Sequence, residues 1–503
     1  MRRLLPALAW VITSAVAQPP EPEAVAARFP APAVRYDTPA FQPGRTDFTR
    51  NDELHALLAT LAQRPGVRRF EAGRSQRGVA IEALHVGSGG KPVALLVGQQ
   101  HGDEPAGAEA LLALARLLAA GALAPLLERV YVVLVPRANP DGAASGERLL
   151  ADGTDLNRDH LLLRTPEARA LAALVRRFDP LLVADLHEYG VRDDFAAKFG
   201  ALPRADVLLQ AAATPNLPPA VAERTESQFL RPLRRALDLQ GLTHEAYHMN
   251  PAVPGDLRLV MGSPLPDTVR NVQGLALRPS VLLETRGLGL GRQHLQRRVH
   301  SHVVAALALL EAAAAQAADA RAAREAVAHE VQAAACRGSA VVLAGMSTAP
   351  REVVMLDPST GADRTVSVAW TSSQALKPVI VRDRPCGYLL AADAGPLVDT
   401  LRALGLAVRR VEQPQTLDVE TYRETGRAET AQRGLQLLLA LDRQRLEAPV
   451  GSWIVPLDQP LANLAIAALE PDAPGSFFAQ RLASGLAGVA RIVSAPARAP
   501  AQQ

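Results

Sequence analysis

The sequence predicts an α/β fold, with a mostly parallel or mixed central sheet, helices on both faces, and a smaller C-terminal α/β domain. Three observations carry that prediction. Four apolar runs, Val93 to Val97, Val130 to Val135, Leu181 to Leu186 and Ser280 to Leu283, are each bounded by turn or polar residues. Continuous runs of this kind read as strands buried on both faces. Stretches of helical composition separate them, which implies right-handed crossovers laying helices on either side of the sheet. The character of the chain then resets at Cys336-Arg337-Gly338, where new β-like runs begin.

The elements follow in order. Arg2 and Arg3, apolar Leu4 to Ile12 and the small residues Ala15-Val16-Ala17 read as a secretory signal peptide over residues 1–17. The mature protein is therefore expected to be secreted or periplasmic, with no membrane anchor after cleavage. A Pro/Ala-rich lead-in precedes a helix over Asn51 to Ala62, with Asp47 or Asn51 as its cap. Val67 to Phe70 and Val79 to Val86 read as strands joined through Gly73 and Gly78. Ala106 to Ala120 is an Ala/Leu-rich helix, and Asn139-Pro140-Asp141-Gly142 a strong turn signal. Val303 to Ala335 has the composition of one long helix. Beyond residue 338, Ala340 to Ala344 and Thr365 to Trp370 read as strands, and Gly387 to Leu390 leads into a helix over Ala394 to Leu404. The domains expected are thus 18–337 and 338–503.

A chain of 503 residues is too long for one ordinary core, in keeping with that division. The formal net charge is +3, the basic residues are scattered, and aromatics make up only 4%. Neither a nucleic-acid surface nor a stacking platform is indicated. The two cysteines, Cys336 and Cys386, either form one bridge or remain as two thiols.

The chemistry centres on the stretch after Val93 to Val97, where His101 and Glu104 stand three apart. His187 follows the Leu181 to Leu186 run, and Glu284 follows Ser280 to Leu283. In an open α/β sheet the carboxyl ends of such strands converge on one edge, where ligands bind. A zinc hydrolase needs three protein ligands from His, Glu or Cys, plus a carboxylate off the metal to move the proton. His101, Glu104 and His187 meet the first need and Glu284 the second.

With those residues in place, the chain resembles the carboxypeptidase A-like zinc metallocarboxypeptidases. The matching marks are HGDE (101–104), NPDG (139–142), DLNR (155–158), LHEYG (186–190) and LLETRG (282–287), in the family's order. The resemblance covers about residues 50 to 310, and the later segments look like the C-terminal extension of larger bacterial members. It implies one zinc per chain on His101, Glu104 and His187, with Glu284 as general base and later general acid. It also implies a peptide substrate with a free C-terminus, an ordinary peptide or a cell-wall peptide. Asn157 and Arg158 would hold the terminal carboxylate, since a guanidinium fork suits a carboxylate. Arg148 would polarise the scissile carbonyl and steady its oxyanion.

Some features depart from the family's pattern. The family's peptidases often carry a mobile tyrosine before the catalytic glutamate, and here Tyr247 stands a long interval ahead of Glu284. Arg270, in DTVRN (267–271), is a second candidate to face the site. His244 to His248 (HEAYH) matches a different zinc signature, which works only on a helix. Gly241 before it and Asn250-Pro251 after it leave little room for one. Two rival functions stand beside the secreted zinc exopeptidase. One is a zinc deacylase of the succinylglutamate desuccinylase or aspartoacylase type, acting on N-acyl amino acids. The other is a non-catalytic peptide-binding protein on the same fold.

Overall fold

A computed structural model describes residues 21–494 apart from 192–194, 252, 254, 431–433 and 484. The segment expected to be a signal peptide, 1–17, lies outside the described residues. The first strands in the chain are β1 (Val67–Arg74), β2 (Ala80–Val86), β3 (Val93–Gly98), β4 (Tyr131–Val135) and β5 (Leu182–Gly190). They are followed by β6 (Leu202–Pro203), β7 (Val207–Ala211), β8 (His244–Ala246), β9 (Arg258–Val260) and β10 (Ser280–Leu288). Eight of these ten form one sheet in the order β1-β2-β4-β3-β5-β10-β7-β8. Its middle, β4-β3-β5-β10, is parallel. On one side β2 joins antiparallel to β4, and on the other β7 runs antiparallel to β10.

Both faces of the parallel strands are covered, which is why their sequences are apolar without alternation. On one face Leu96, Leu186 and Leu283 pack with Leu111 of the helix Pro105–Ala119 and Leu309 of the helix Leu295–Gln316. On the other, Leu95, Val97, Val133 and Val183 pack with Leu171 and Leu174 of the helix Pro166–Phe178. Each fully buried Leu contributes about 1.5–3 kcal/mol. The helix Leu295–Gln316 has the length and hydropathy of a membrane span, but 67% of its apolar window is buried inside this fold.

Several elements differ from expectation. The strands expected to stop at Leu186 and Leu283 run on to Gly190 and Leu288, because their polar ends find ladder partners in each other. NPDG opens a short helix, Pro140–Ser145, rather than a plain turn. The Asn139 side chain accepts the Gly142 N–H at 2.8 Å as its cap, and Pro140 takes the first helical position. The helix Asn51–Leu61 is preceded by Arg50, whose backbone N–H donates to Glu53; the Asn51 amide instead donates to the Pro140 carbonyl. The single helix expected over Val303 to Ala335 is two, Leu295–Gln316 and Ala320–Ala333.

Beyond residue 338 a long hairpin comes first, β11 (Ser339–Leu356) and β12 (Asp363–Asp383), with β6 and β9 paired along its edges. Its turn is held by Asp357, whose carboxylate accepts the Ser359 and Thr360 N–H groups. Then come β13 (Gly387–Leu390), β14 (Arg409–Arg410), β15 (Gln415–Thr430), β16 (Gly434–Ala448), β17 (Trp453–Pro456) and β18 (Val489–Ile492). They form an antiparallel sheet, order β14-β17-β13-β18-β15-β16. Cys336 and Cys386 are joined in a disulfide.

Candidate functional site

Two glycine-bearing motifs build the first half of the site by packing on each other. The chain leaves β3 through Gln99, whose φ of 50° turns it sharply, and the Gln99 amide donates to the Gly102 carbonyl at 2.9 Å. Gly102 lies against the backbone of Gly142, so that a Cβ there would fall 2.0 Å from the Gly142 carbonyl carbon. HGDE and NPDG are thus two sides of one close backbone contact, which sets His101 and Glu104 facing inward.

The second half comes from β5 and β10. These strands are parallel neighbours, and His187 and Glu284 are partners in their register. His101, Glu104 and His187 are all buried, and their ligand atoms lie within 4.8 Å of one another. Glu104 reaches both rings, at 2.7 Å to the His101 Nδ1 and 2.7 Å to the His187 Nδ1. The Nε2 atoms face away, toward Asp155 at 3.0 Å for His101 and Asp185 at 2.9 Å for His187. A carboxylate on Nε2 fixes the proton there and leaves the Nδ1 lone pair aimed at the common centre. Two such nitrogens and one carboxylate oxygen are the donor set of a zinc ion with a position left open, and the residues fit that ion.

The electrostatics follow from burial and close charges. Burial disfavours the Glu104 carboxylate, but His101 and His187 outweigh that and hold its pKa below the usual range. Burial likewise opposes the charged His187 ring, and Asp185 and Glu104 raise it well above its ordinary value. Glu284 goes the other way: burial pushes it up to about 7, against the opposing pull of His187.

A cavity of about 280 Å³ opens beside the cluster. His101, Glu104, Arg148, Asn157, Arg158, Tyr247, Arg270 and Glu284 all line it, so the structure gathers the expected residues around one space. Arg148 bridges Glu104 at 3.3 Å and Asp155 at 3.0 Å. Arg158 is exposed, with its Nη1 on the Asn157 carbonyl. Asn157 lines the cavity too, but its amide is engaged at both ends. Its nitrogen contacts Asp185 and the His187 Nε2, each at 3.1 Å, and its oxygen accepts the Val269 N–H. Burial raises the Tyr247 phenol, and the Glu284 carboxylate adds to the effect. Arg270 is buried in the wall.

HEAYH is not helical. His244 to Ala246 form β8, His244 pairs with Asp238, and the His248 Nδ1 contacts the Ala246 carbonyl. Three residues escaped the sequence reading. Asp155 sits inside the DLNR motif itself, and Asp185 stands two before His187, hence on the same face of a strand. Glu188, next to His187 and on the opposite face, accepts the Ala106 N–H and pairs with Arg298. A Cβ on Gly287 would fall 1.8 Å from its Oε1, which accounts for the glycine that ends LLETRG.

Residues 54–192 match the family model described as zinc carboxypeptidase. Carboxypeptidase 2 of Trichophyton rubrum is 27% identical over 469 residues, covering 87% of this chain and 84% of its own. Carboxypeptidase SOL1 of Arabidopsis thaliana is 30% identical over 172 residues, 30% of this chain and 35% of that protein. Among solved structures, a metallo-carboxypeptidase from Burkholderia cenocepacia aligns with 52% of this chain and 69% of its own, at 19% identity and a TM-score of 0.40.

Proposed function

We propose that the chain is a zinc carboxypeptidase, like the family that its residues 54–192 match, and that it removes the last residue of peptides with a free C-terminus, with Glu284 as the proton-carrying group. The observation that carries this reading is the register of β5 and β10, which sets Glu284 beside His187 at the edge of the metal cluster. His101, Glu104 and His187 would hold a single zinc ion, which when bound supplies a Lewis acid that makes water acidic enough to react near neutral pH. The Glu284 carboxylate takes a proton from the attacking water and returns it to the leaving amine nitrogen. Arg148 directs its guanidinium at the scissile carbonyl oxygen as charge develops there. Arg158 pairs with the terminal carboxylate of the substrate, and Asn157 supports it while its amide nitrogen donates to Asp185, the partner of His187. Tyr247 closes the cavity beside Glu284 and lends its hydroxyl to the substrate. The N-terminal segment directs the protein out of the cytoplasm, where the Cys336–Cys386 bridge is stable. We take residues 18–337 as the catalytic unit.

The test is digestion of a defined peptide mixture, followed by mass spectrometry, with and without a chelator. Single residues should be lost from C-termini only, the loss should stop with the chelator, and zinc should restore it. Amidating the C-terminus should lower kcat/KM at least about tenfold. Cleavage of short N-acyl amino acids with no turnover of any longer peptide would instead establish a deacylase.

A further inference from the structure

Six arginines are deeply buried among the described residues, and five of them are accounted for. Arg278, Arg286, Arg298 and Arg491 each pair with a carboxylate. Arg137 donates to the Gln99 and Asn51 side-chain oxygens and to the Thr49 carbonyl. Arg270 is the exception. It is 4% exposed, its Nη2 donates to the Ser263 carbonyl at 3.2 Å, and its Nε has no hydrogen-bond partner. No carboxylate among the described residues forms an ion pair with it, yet it lines the same cavity as Glu284 and Arg158. The wall is shaped around it: a Cβ on Gly262 would fall 2.4 Å from its Nη2.

A buried guanidinium with no ion-pair partner is costly: burial lowers its pKa and Arg158 adds like-charge repulsion, and the attraction of Tyr247, Asp267 and Asp185 does not offset them. A ligand that brings two carboxylates into the cavity removes both penalties. We propose that Arg270 recognises an acidic side chain on the substrate's C-terminal residue, so that the enzyme preferentially releases glutamate or aspartate. The assignment rests on the carboxypeptidase reading. Arg158, exposed, takes the α-carboxylate, and Arg270, deep in the wall, takes the second one as a bidentate partner. An apolar C-terminal side chain would leave Arg270 dry and unpaired, and a basic one would add a third cation.

The experiment compares blocked tripeptides that differ only in the last residue: Glu, Asp, Gln, Asn, Leu and Lys. Glu against Gln isolates the charge at constant shape. The zinc-loaded full chain should favour Glu over Gln by at least about tenfold in kcat/KM, mostly through KM. R270Q should bring that ratio close to one, and R270K should keep part of it. Zinc content and thermal unfolding of both variants show whether they are folded. Equal rates on Glu and Gln peptides, or a ratio that survives R270Q, would overturn the proposal. So would an R270Q loss of equal size on every peptide, since that marks a structural or α-carboxylate role. A calorimetric arm separates this from the reaction itself, with N-acetylglutamate and N-acetylglutamine titrated into the E284Q chain. Tighter binding of the glutamate ligand, lost in E284Q/R270Q, supports the acidic pocket even if no peptide is cleaved. Equal binding of the two overturns it.

Discussion

Each imidazole of the cluster presents one nitrogen to the metal position and gives the other to a carboxylate. The choice is made by Asp155 and Asp185, which hold the Nε2 atoms of His101 and His187. Asp185 is itself steadied by the Gln100 amide at 2.7 Å, and Gln100 by His160 at 2.7 Å. Replacing Asp185 by Asn keeps the shape but removes the charge that fixes the His187 proton. Zinc affinity should then weaken by about 10–100-fold, read by competition with a chelating dye; an unchanged affinity would deny Asp185 that role. Glu284 is a different case, because it lies off the ligand set. E284Q should cut turnover by at least about a hundredfold while zinc content stays at the wild-type level. Near-normal turnover in that variant would remove Glu284 from the chemistry.

At the scale of elements, what could be read from the sequence depended on how completely each strand is buried. β3 and β4 are buried along their whole length, so their apolar runs mark them without ambiguity. β5 and β10 were legible only to Leu186 and Leu283, since His187 and Glu284 are polar and break the run. The strands continue because the backbone ladder between them is indifferent to side-chain polarity. β8 and the long hairpin β11–β12 were harder still. Their residues alternate in and out of solvent irregularly, and their partners are remote in sequence. The candidate ligands could be named because the motifs are local, whereas the contact between HGDE and NPDG could not be seen. That contact makes its own prediction. Ala at Gly102 places a methyl group inside the backbone of Gly142 and Ala143. G102A should lose about 1–3 kcal/mol of stability and weaken zinc binding, as followed by denaturant unfolding and metal titration. A variant with wild-type values in both would show that the two motifs yield to each other freely.

At the scale of the molecule, the question is what residues 338–503 do for a site to which none of the described ones contributes a cavity-lining side chain. The helix Val269–Leu275 carries Arg270 and donates its first N–H to the Asn157 side-chain oxygen. Its other side is not covered by the central sheet alone. Val272 and Leu275 belong to a core shared with Leu401 of the helix Gly395–Ala403 and Leu464 of the helix Ala462–Leu469. Polar ties cross the same boundary: Asn216 exchanges hydrogen bonds with the Val341 backbone, and the Asn463 amide donates to the Asn216 carbonyl. The C-terminal segment therefore packs behind the cavity-lining helix that carries Arg270. A chain ending at residue 337 would expose the apolar side of that helix to water, at about 25 cal/mol per Å² of apolar surface uncovered. Such a chain should unfold at a lower temperature than the full-length protein. Where it still folds and binds zinc through His101, Glu104 and His187, its loss should appear first in KM, because the uncovered helix carries cavity-lining Arg270 and none of the three cluster residues. A truncated chain with the full-length unfolding temperature and KM would show that residues 338–503 serve something other than this support.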